Sequence, residues 1–219
     1  MASQLDFWND RYGDAEVFAY GKEPNEFLKL CFDDGSAVPP PSSLGGRRAL
    51  CLCDGEGRNS VYLAKTHGYQ CDAVDLSARG MEKLTQWASA EGISARVTAS
   101  VGDVGSFVQG AEEGAYDLVI SIFAHTPVAL RQAIHDRVYQ LLKPDGFFIL
   151  EAYTVDNLGR NVGGPQGPET CMSAATVAEE LAGMALLRCV ELERTCCEGL
   201  YHKSDRPAAV VQCLAAKKL

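Results

Sequence analysis

The sequence has no apolar run near the roughly 18 residues that a membrane-spanning helix needs, no internal repeat, no charge block and no paired Cys-X-X-Cys. A spanning segment, a solenoid, a charged tail and a zinc ribbon are thereby excluded. Positive charge is scarce: 20 Lys and Arg stand against 29 Asp and Glu, a formal net charge of −9. That balance repels phosphate backbones and anionic lipid surfaces, and the adjacent basic pairs Arg47-Arg48 and Lys217-Lys218 are too isolated to reverse it. Neither nucleic acid nor membrane is an expected partner. The opening residues 1–11 are too polar and acidic for a signal or transit peptide, which makes a cytoplasmic location the expectation.

Nine cysteines are present, but without the spacing of a disulfide framework or a metal site. Cys51 and Cys53 alternate with Leu inside an apolar run, where both are expected on one packed face of a strand. Buried free thiols and no metal are the reading. At 219 residues and 47% hydrophobic content, the chain is the size of one α/β domain with an appendage.

Short apolar runs of β type at 49–53, 70–74, 95–100, 116–123 and 147–152 alternate with helix-spaced segments at 60–67, 78–91 and 128–142. The alternation predicts an α/β fold with a parallel, doubly wound sheet and helices on both faces. Ser77 reads as an N-cap, Pro127 as a first-turn residue, and Gly92 and Lys143-Pro144-Asp145-Gly146 as stop signals. After a Gly- and Pro-rich loop over 159–167 and a helix over 173–183, two strand-like runs follow at 186–195 and 208–215. Their connection is too short for a crossover helix, so the sheet is expected to end in an antiparallel hairpin. Upstream, helices at 5–12 and 26–32 cannot form a core alone and must pack on the rest. Pro39-Pro40-Pro41-Ser42-Ser43 and Gly45-Gly46 read as a linker that divides residues 1–45 from 46–219.

The first strand leads into Asp54-Gly55-Glu56-Gly57-Arg58-Asn59 and then a helix. Glycines in such a turn let backbone approach a ligand and leave helix N-terminal amides free to bind it. Asp75 ends the second strand, where a carboxylate accepts hydrogen bonds from two ribose hydroxyls. Asp103, in Gly102-Asp103-Val104 after the third strand, is placed to reach the exocyclic amine of an adenine. Each aspartate alone has a turn or helix cap as its alternative; three at successive strand ends point to one adenosine-binding crevice. Leu76 and Val104 beside these carboxylates, and Ile122 and Phe123 at the end of the fourth strand, complete the expected contacts. Ser60 stands where dinucleotide enzymes carry a third glycine, which disfavours an NAD-linked oxidoreductase.

The segments CDGEGRNSVYLA, AVDLS, VGDV, DLVISIFAH and LLKPDGFFILEAYT resemble class I S-adenosylmethionine-dependent methyltransferases. More narrowly, FWNDRYG, FAYGKEPNEFL, SIFAHTP and AAVVQCLAAK resemble the tellurite-resistance (TehB-like) and thiol methyltransferase branch. The resemblance implies S-adenosylmethionine as cofactor, a small-molecule acceptor such as a thiol or a tellurium or selenium oxyanion, and residues 1–45 as a helical lid with its linker. Cys51 and Cys53 depart from the acidic residue and glycine that most members carry within the first strand. A catalytically idle S-adenosylmethionine-binding or interaction module is the alternative, and monomer and homodimer both stay open.

Methyl transfer from a sulfonium needs alignment and exclusion of water more than acid–base machinery. Where the acceptor must lose a proton, His125 after the fourth strand is the first candidate base and His202, in the terminal hairpin loop, the second. A cap of the Thr126-Pro127 helix start is the structural alternative for His125. Among the aromatics, Tyr20 with Gly21 is the expected cofactor contact, whereas Trp8 and Tyr12, four apart on one helix, read as packing.

Overall fold

The computed structural model describes residues 3–32, 38, 46–202 and 206–218. Its centre is a seven-stranded sheet in the order β3-β2-β1-β4-β5-β7-β6. The first five strands run parallel: β1 (Arg48–Leu52), β2 (Gln70–Asp75), β3 (Val97–Val101), β4 (Tyr116–Ile122) and β5 (Leu142–Tyr153). β6 (Ala185–Arg194) and β7 (Ala208–Ala216) form the expected antiparallel hairpin, and β7 inserts between β5 and β6.

The apolar runs are continuous because central strands bury both faces. In β1, Leu50 and Leu52 enter a core that contains Val104, Val108, Ile134, Val138 and Val177. Ala49 and Cys51 point the other way, into a second core with Leu63, Met81 and Leu84. The first core is covered by α5 (Val104–Gly110), α6 (Val128–Leu141) and α7 (Ala174–Glu180), the second by α2 (Glu26–Leu30), α3 (Arg58–His67) and α4 (Ala78–Ala90). α1 (Gln4–Arg11), closed by a Ser3/Asp6 capping box, completes the N-terminal piece. Phe27 and Leu28 of α2 are fully part of the second core, so this piece is packed on the sheet, not beside it.

Several expectations shift. Cys53 does not share a face with Cys51: β1 ends at Leu52, and Cys53 turns with φ 52° toward the first core. α5 was not read from the sequence, where only seven residues separate Asp103 from Ala111. β5 begins at Leu142, five residues before the expected start, because Lys143-Pro144-Asp145-Gly146 continues as an irregular edge of the strand with Asp145 at φ 61°. Pro127 is the N-cap of α6, not its first turn. The proline-rich linker at 39–43 lies outside the described residues. No described helix is long and apolar enough to cross a membrane. Among the described residues, no group of three or more His, Cys, Asp or Glu is arranged to hold a metal ion.

Candidate active site

The carboxyl ends of β1, β2 and β3 carry Asp54, Asp75 and Asp103, and all three negative charges act on the Cys53 thiol and raise its pKa, after burial itself. The turn between β1 and α3 depends on its glycines. Gly55 and Gly57 have φ 61° and 91°, and a Cβ on Gly57 would lie 2.2 Å from Leu84 Cδ1. Asp75 braces that turn: Gly55 N–H donates to its Oδ2 at 2.9 Å, and Ser77 N–H to its Oδ1 at 2.8 Å. These donors leave the carboxylate spare acceptor capacity. Asp54 takes the Ser60 hydroxyl on Oδ2 at 2.5 Å, while its buried Oδ1 has no partner among the described residues.

Burial outweighs the positive charge within reach of these acids, which for Asp54 comes from Arg58. Burial raises the Asp54 carboxyl to about 7, the Ser60 bond partly offsets this, and the nearby Asp75 adds to it. Burial also raises Asp75, against backbone donors from Ser77, Gly55 and Leu76. Asp103 uses Oδ1 to cap α5, accepting from Ser106 N–H at 2.7 Å and from its hydroxyl at 2.9 Å, the alternative role noted for it. Val104 and Ile122 are buried in the two cores, and Leu76 is half-buried. Phe123 has φ 53°, a left-handed backbone rarely adopted by a bulky residue, and its N–H donates to Glu151 O at 2.7 Å.

The N-terminal segment lies directly over the glycine turn. A Cβ on Gly55 would come within 2.7 Å of the Tyr12 hydroxyl, and one on Gly80 within 3.1 Å of the Tyr12 ring. Tyr12 is therefore a roof of the crevice, which its helical spacing with Trp8 did not reveal. The segment is fixed at two further points. Glu56 accepts from Ala19 N–H at 2.7 Å and pairs with Lys83, whose ammonium also donates to the carbonyls of Asp14 (2.8 Å) and Val17 (2.7 Å). Asn59, expected at the cofactor, instead accepts from Asn25 N–H at 3.0 Å. Tyr20 accepts from Arg11 at 3.0 Å and faces the His202 ring at 5.0 Å; Gly21 turns beside it with φ 70°.

A buried ionic network closes the far side. Arg194 holds Glu151 with two bonds (2.8 and 2.6 Å) and reaches Glu198 at 2.8 Å; Arg58 pairs with Glu198 at 2.7 Å; Asn25 donates to both carboxylates. Glu198 stands 3.3 Å from His202 Nδ1. Arg58 and Glu198 thus belong to the candidate site, although neither stood out in the sequence as a site residue; their partners come from distant segments.

The two candidate histidines differ. His125 contacts Thr170 O through Nδ1 at 3.0 Å and accepts from Tyr153 N–H through Nε2 at 3.4 Å. Both nitrogens serve the backbone, and burial lowers its pKa to about 4. These bonds tie the end of β5 to the 170 loop; they do not cap the start of α6. His202 is in contact with a carboxylate, sits 5.0 Å from the Phe123 ring and forms an aromatic group with Tyr20 and Tyr153.

Comparison with known proteins adds a family-model match over part of the chain and a fold. Residues 49–146, which span the Gly turn, Asp75, Asp103 and both candidate strand ends up to His125, match the family model of a methyltransferase domain. No curated protein matches the sequence. Among solved structures, the chain is similar to a protein described under the conversion of a disulfide bond into a thioacetal group in echinomycin biosynthesis, with TM-score 0.72, 16% identity, and coverage of 99% of this chain and 93% of that one. It is similar to phosphoethanolamine N-methyltransferase 2 of Haemonchus contortus, bound to phosphomonomethylethanolamine and S-adenosylhomocysteine (TM-score 0.69, 17% identity, 100% of this chain, 61% of that one). TehB from Haemophilus influenzae gives TM-score 0.66, 17% identity, and 99% and 68% coverage. At these identities the likeness establishes the fold, that of class I methyltransferases. S-adenosylmethionine is the methyl donor that a domain of this family uses.

Proposed function

We propose that the protein is an S-adenosylmethionine-dependent methyltransferase that acts on a small-molecule nucleophile. The observation that carries this reading is the acidic crevice at the ends of β1 and β2: an orphaned, buried Asp54 Oδ1 next to Asp75, over a glycine turn in the segment that matches a methyltransferase domain. A ligand with an ammonium or sulfonium charge and a ribose diol satisfies both carboxylates at once. When bound, the cofactor supplies an activated methyl group.

The chain's own residues do the rest. Asp75 accepts the ribose hydroxyls with its remaining lone pairs, and Asp54 accepts the ammonium. Tyr12 and Tyr20, with the N-terminal segment as lid, exclude water over the reacting centre. His202, not His125, takes the proton where one must be lost. Withdrawing His125 Nε2 from Tyr153 N–H would unfasten β5, whereas Glu198 keeps His202 oriented. The branch resemblance favours soft nucleophiles such as thiols, and the excess of acidic residues speaks against nucleic acid as substrate. Incubation with S-adenosylmethionine and a panel of thiols, oxyanions and amines should produce S-adenosylhomocysteine with at least one acceptor. Reduction or oxidation of a nicotinamide cofactor, with no methyl consumed, would overturn the proposal.

A further inference from the structure

We infer that the aromatic chamber at the ends of β4 and β5 binds a neutral, protic acceptor, with the Tyr153 hydroxyl as its hydrogen-bond donor and Glu198 as the residue that fixes His202 for proton removal. This rests on the methyltransferase reading and narrows its acceptor. Tyr153 is 1% exposed, stacks on Phe123 at 4.6 Å, and its hydroxyl has no partner among the described residues. A buried hydroxyl left unpaired is unfavourable by about 1–3 kcal/mol, so an orphan at the end of a central strand points to a ligand. Around Gly163 several groups converge: the position that its Cβ would take is 2.7 Å from the Tyr201 carbonyl oxygen, 3.2 Å from the Tyr153 hydroxyl and 3.1 Å from Cδ2 of His202, the carbon bonded to Nε2, so only a glycine lets them approach. Gly163 has φ 116°, and its missing side chain lets hydroxyl and imidazole converge.

The ring orientation follows from charge. Glu198 is 3% exposed, and despite its burial His202, Arg58 and Arg194 hold its carboxyl far below the usual range. Glu198 Oε2 and His202 Nδ1 stand 3.3 Å apart, and beyond the Arg58 ion pair neither has another hydrogen-bond partner among the described residues; an ionised carboxylate at that distance favours the proton on Nδ1 and the lone pair on Nε2. The groups facing His202 are Glu198 on its own loop, Arg58 from α3, Arg194 from β6, Tyr20 from the N-terminal segment, and Tyr153 and His125 from the strand ends. Burial keeps His202 below the ordinary histidine pKa, against the opposing pull of Glu198, and so favours its neutral form. The two cations here are matched by Glu151 and Glu198. Although Arg58 Nη1 has no partner among the described residues, a phosphate or oxyanion would have to compete with Glu198 for Arg58, and it would need no base. In the reaction the acceptor's lone pair forms the bond to the methyl carbon, and the carbon–sulfur bond breaks with its electron pair retained by sulfur. The acceptor proton goes to His202 Nε2 and then to solvent.

Two matched thiols test this in the full-length protein. With 2-mercaptoethanol, kcat/KM should exceed that with mercaptoacetate by tenfold or more, and selenite and phosphoethanolamine should be inert. Tyr153→Phe should raise KM for 2-mercaptoethanol about 3- to 10-fold and leave the calorimetric affinity for S-adenosylhomocysteine unchanged. Glu198→Gln should move the acidic limb of the pH profile to lower pH. Independently of turnover, imidazole 15N shifts should show His202 protonated on Nδ1 in the wild type. An Nε2-protonated ring, or mercaptoacetate, selenite or phosphoethanolamine turned over as fast as 2-mercaptoethanol, would overturn the inference. Tight S-adenosylhomocysteine binding with no neutral acceptor turned over would reject the chamber and leave the cofactor reading intact; no binding would reject both.

Discussion

At the scale of single residues, Asp54 ties the site's chemistry to pH. With its carboxyl near 7, about half the protein is protonated there at neutrality. A ligand ammonium binds the ionised form, so binding expels a proton. Affinity for S-adenosylhomocysteine is expected to be flat above about pH 8 and to fall by up to about tenfold per unit below pH 7. Titrations in buffers of different ionisation enthalpy should show the released proton, and Asp54→Asn should abolish the dependence. A pH-independent affinity in the wild type would place the ammonium elsewhere. Asp54, Asp75 and the glycines were legible because a strand end followed by a glycine turn is a local pattern. Tyr12, Arg58 and Glu198 were not, since each acquires its role from a segment far away in the chain; Tyr12 lies over Gly55, and Glu198 meets Arg58 and Asn25.

At the scale of elements, the N-terminal segment and the β6–β7 loop hold each other. Leu200 N–H donates to Ala19 O at 2.9 Å, Arg11 lies 3.7 Å over the Tyr201 ring, and a Cβ on Gly199 would fall 2.3 Å from Tyr20 C. Gly199→Ala, strained also by φ 68°, should push the two apart, and a rise of tenfold or more in KM for S-adenosylmethionine is expected. Unchanged kinetics would show that this contact does not hold the roof. Away from the site, Glu180 on α7 clamps α6, with bonds to Arg131 (2.8–3.1 Å) and His135 (2.6 Å). Although burial opposes ionisation, these partners hold the Glu180 carboxyl at about 2. Its contribution is complete above the unfolded value near 4.5 and disappears as pH falls toward 2. Glu180→Leu leaves Arg131 buried without its carboxylate and should lower stability by about 3–5 kcal/mol at pH 7 in denaturant melts, with S-adenosylhomocysteine affinity preserved. The element order was readable from apolar periodicity. α5 was too short to show a period, and the early start of β5 was hidden by residues that ordinarily terminate an element.

At the scale of the molecule, the sheet supplies two apolar cores and gathers the candidate site groups where the N-terminal segment, the hairpin loop and the strand ends meet. The described residues of the N-terminal segment, 3–32 and 38, are structural. Without them Glu56, Glu151 and Glu198 lose buried partners, and the second core loses Phe27 and Leu28. Point variants are therefore the appropriate probes of the lid. The central claim, that this crevice binds S-adenosylmethionine through Asp75 and its neighbours, is tested most directly by calorimetric titration of wild type and Asp75→Ala with S-adenosylhomocysteine. One site per chain is expected in the wild type, with a loss of about 1.5–3 kcal/mol, roughly 10- to 100-fold, in the variant. Equal affinities in the two proteins, or no binding by the wild type, would contradict it.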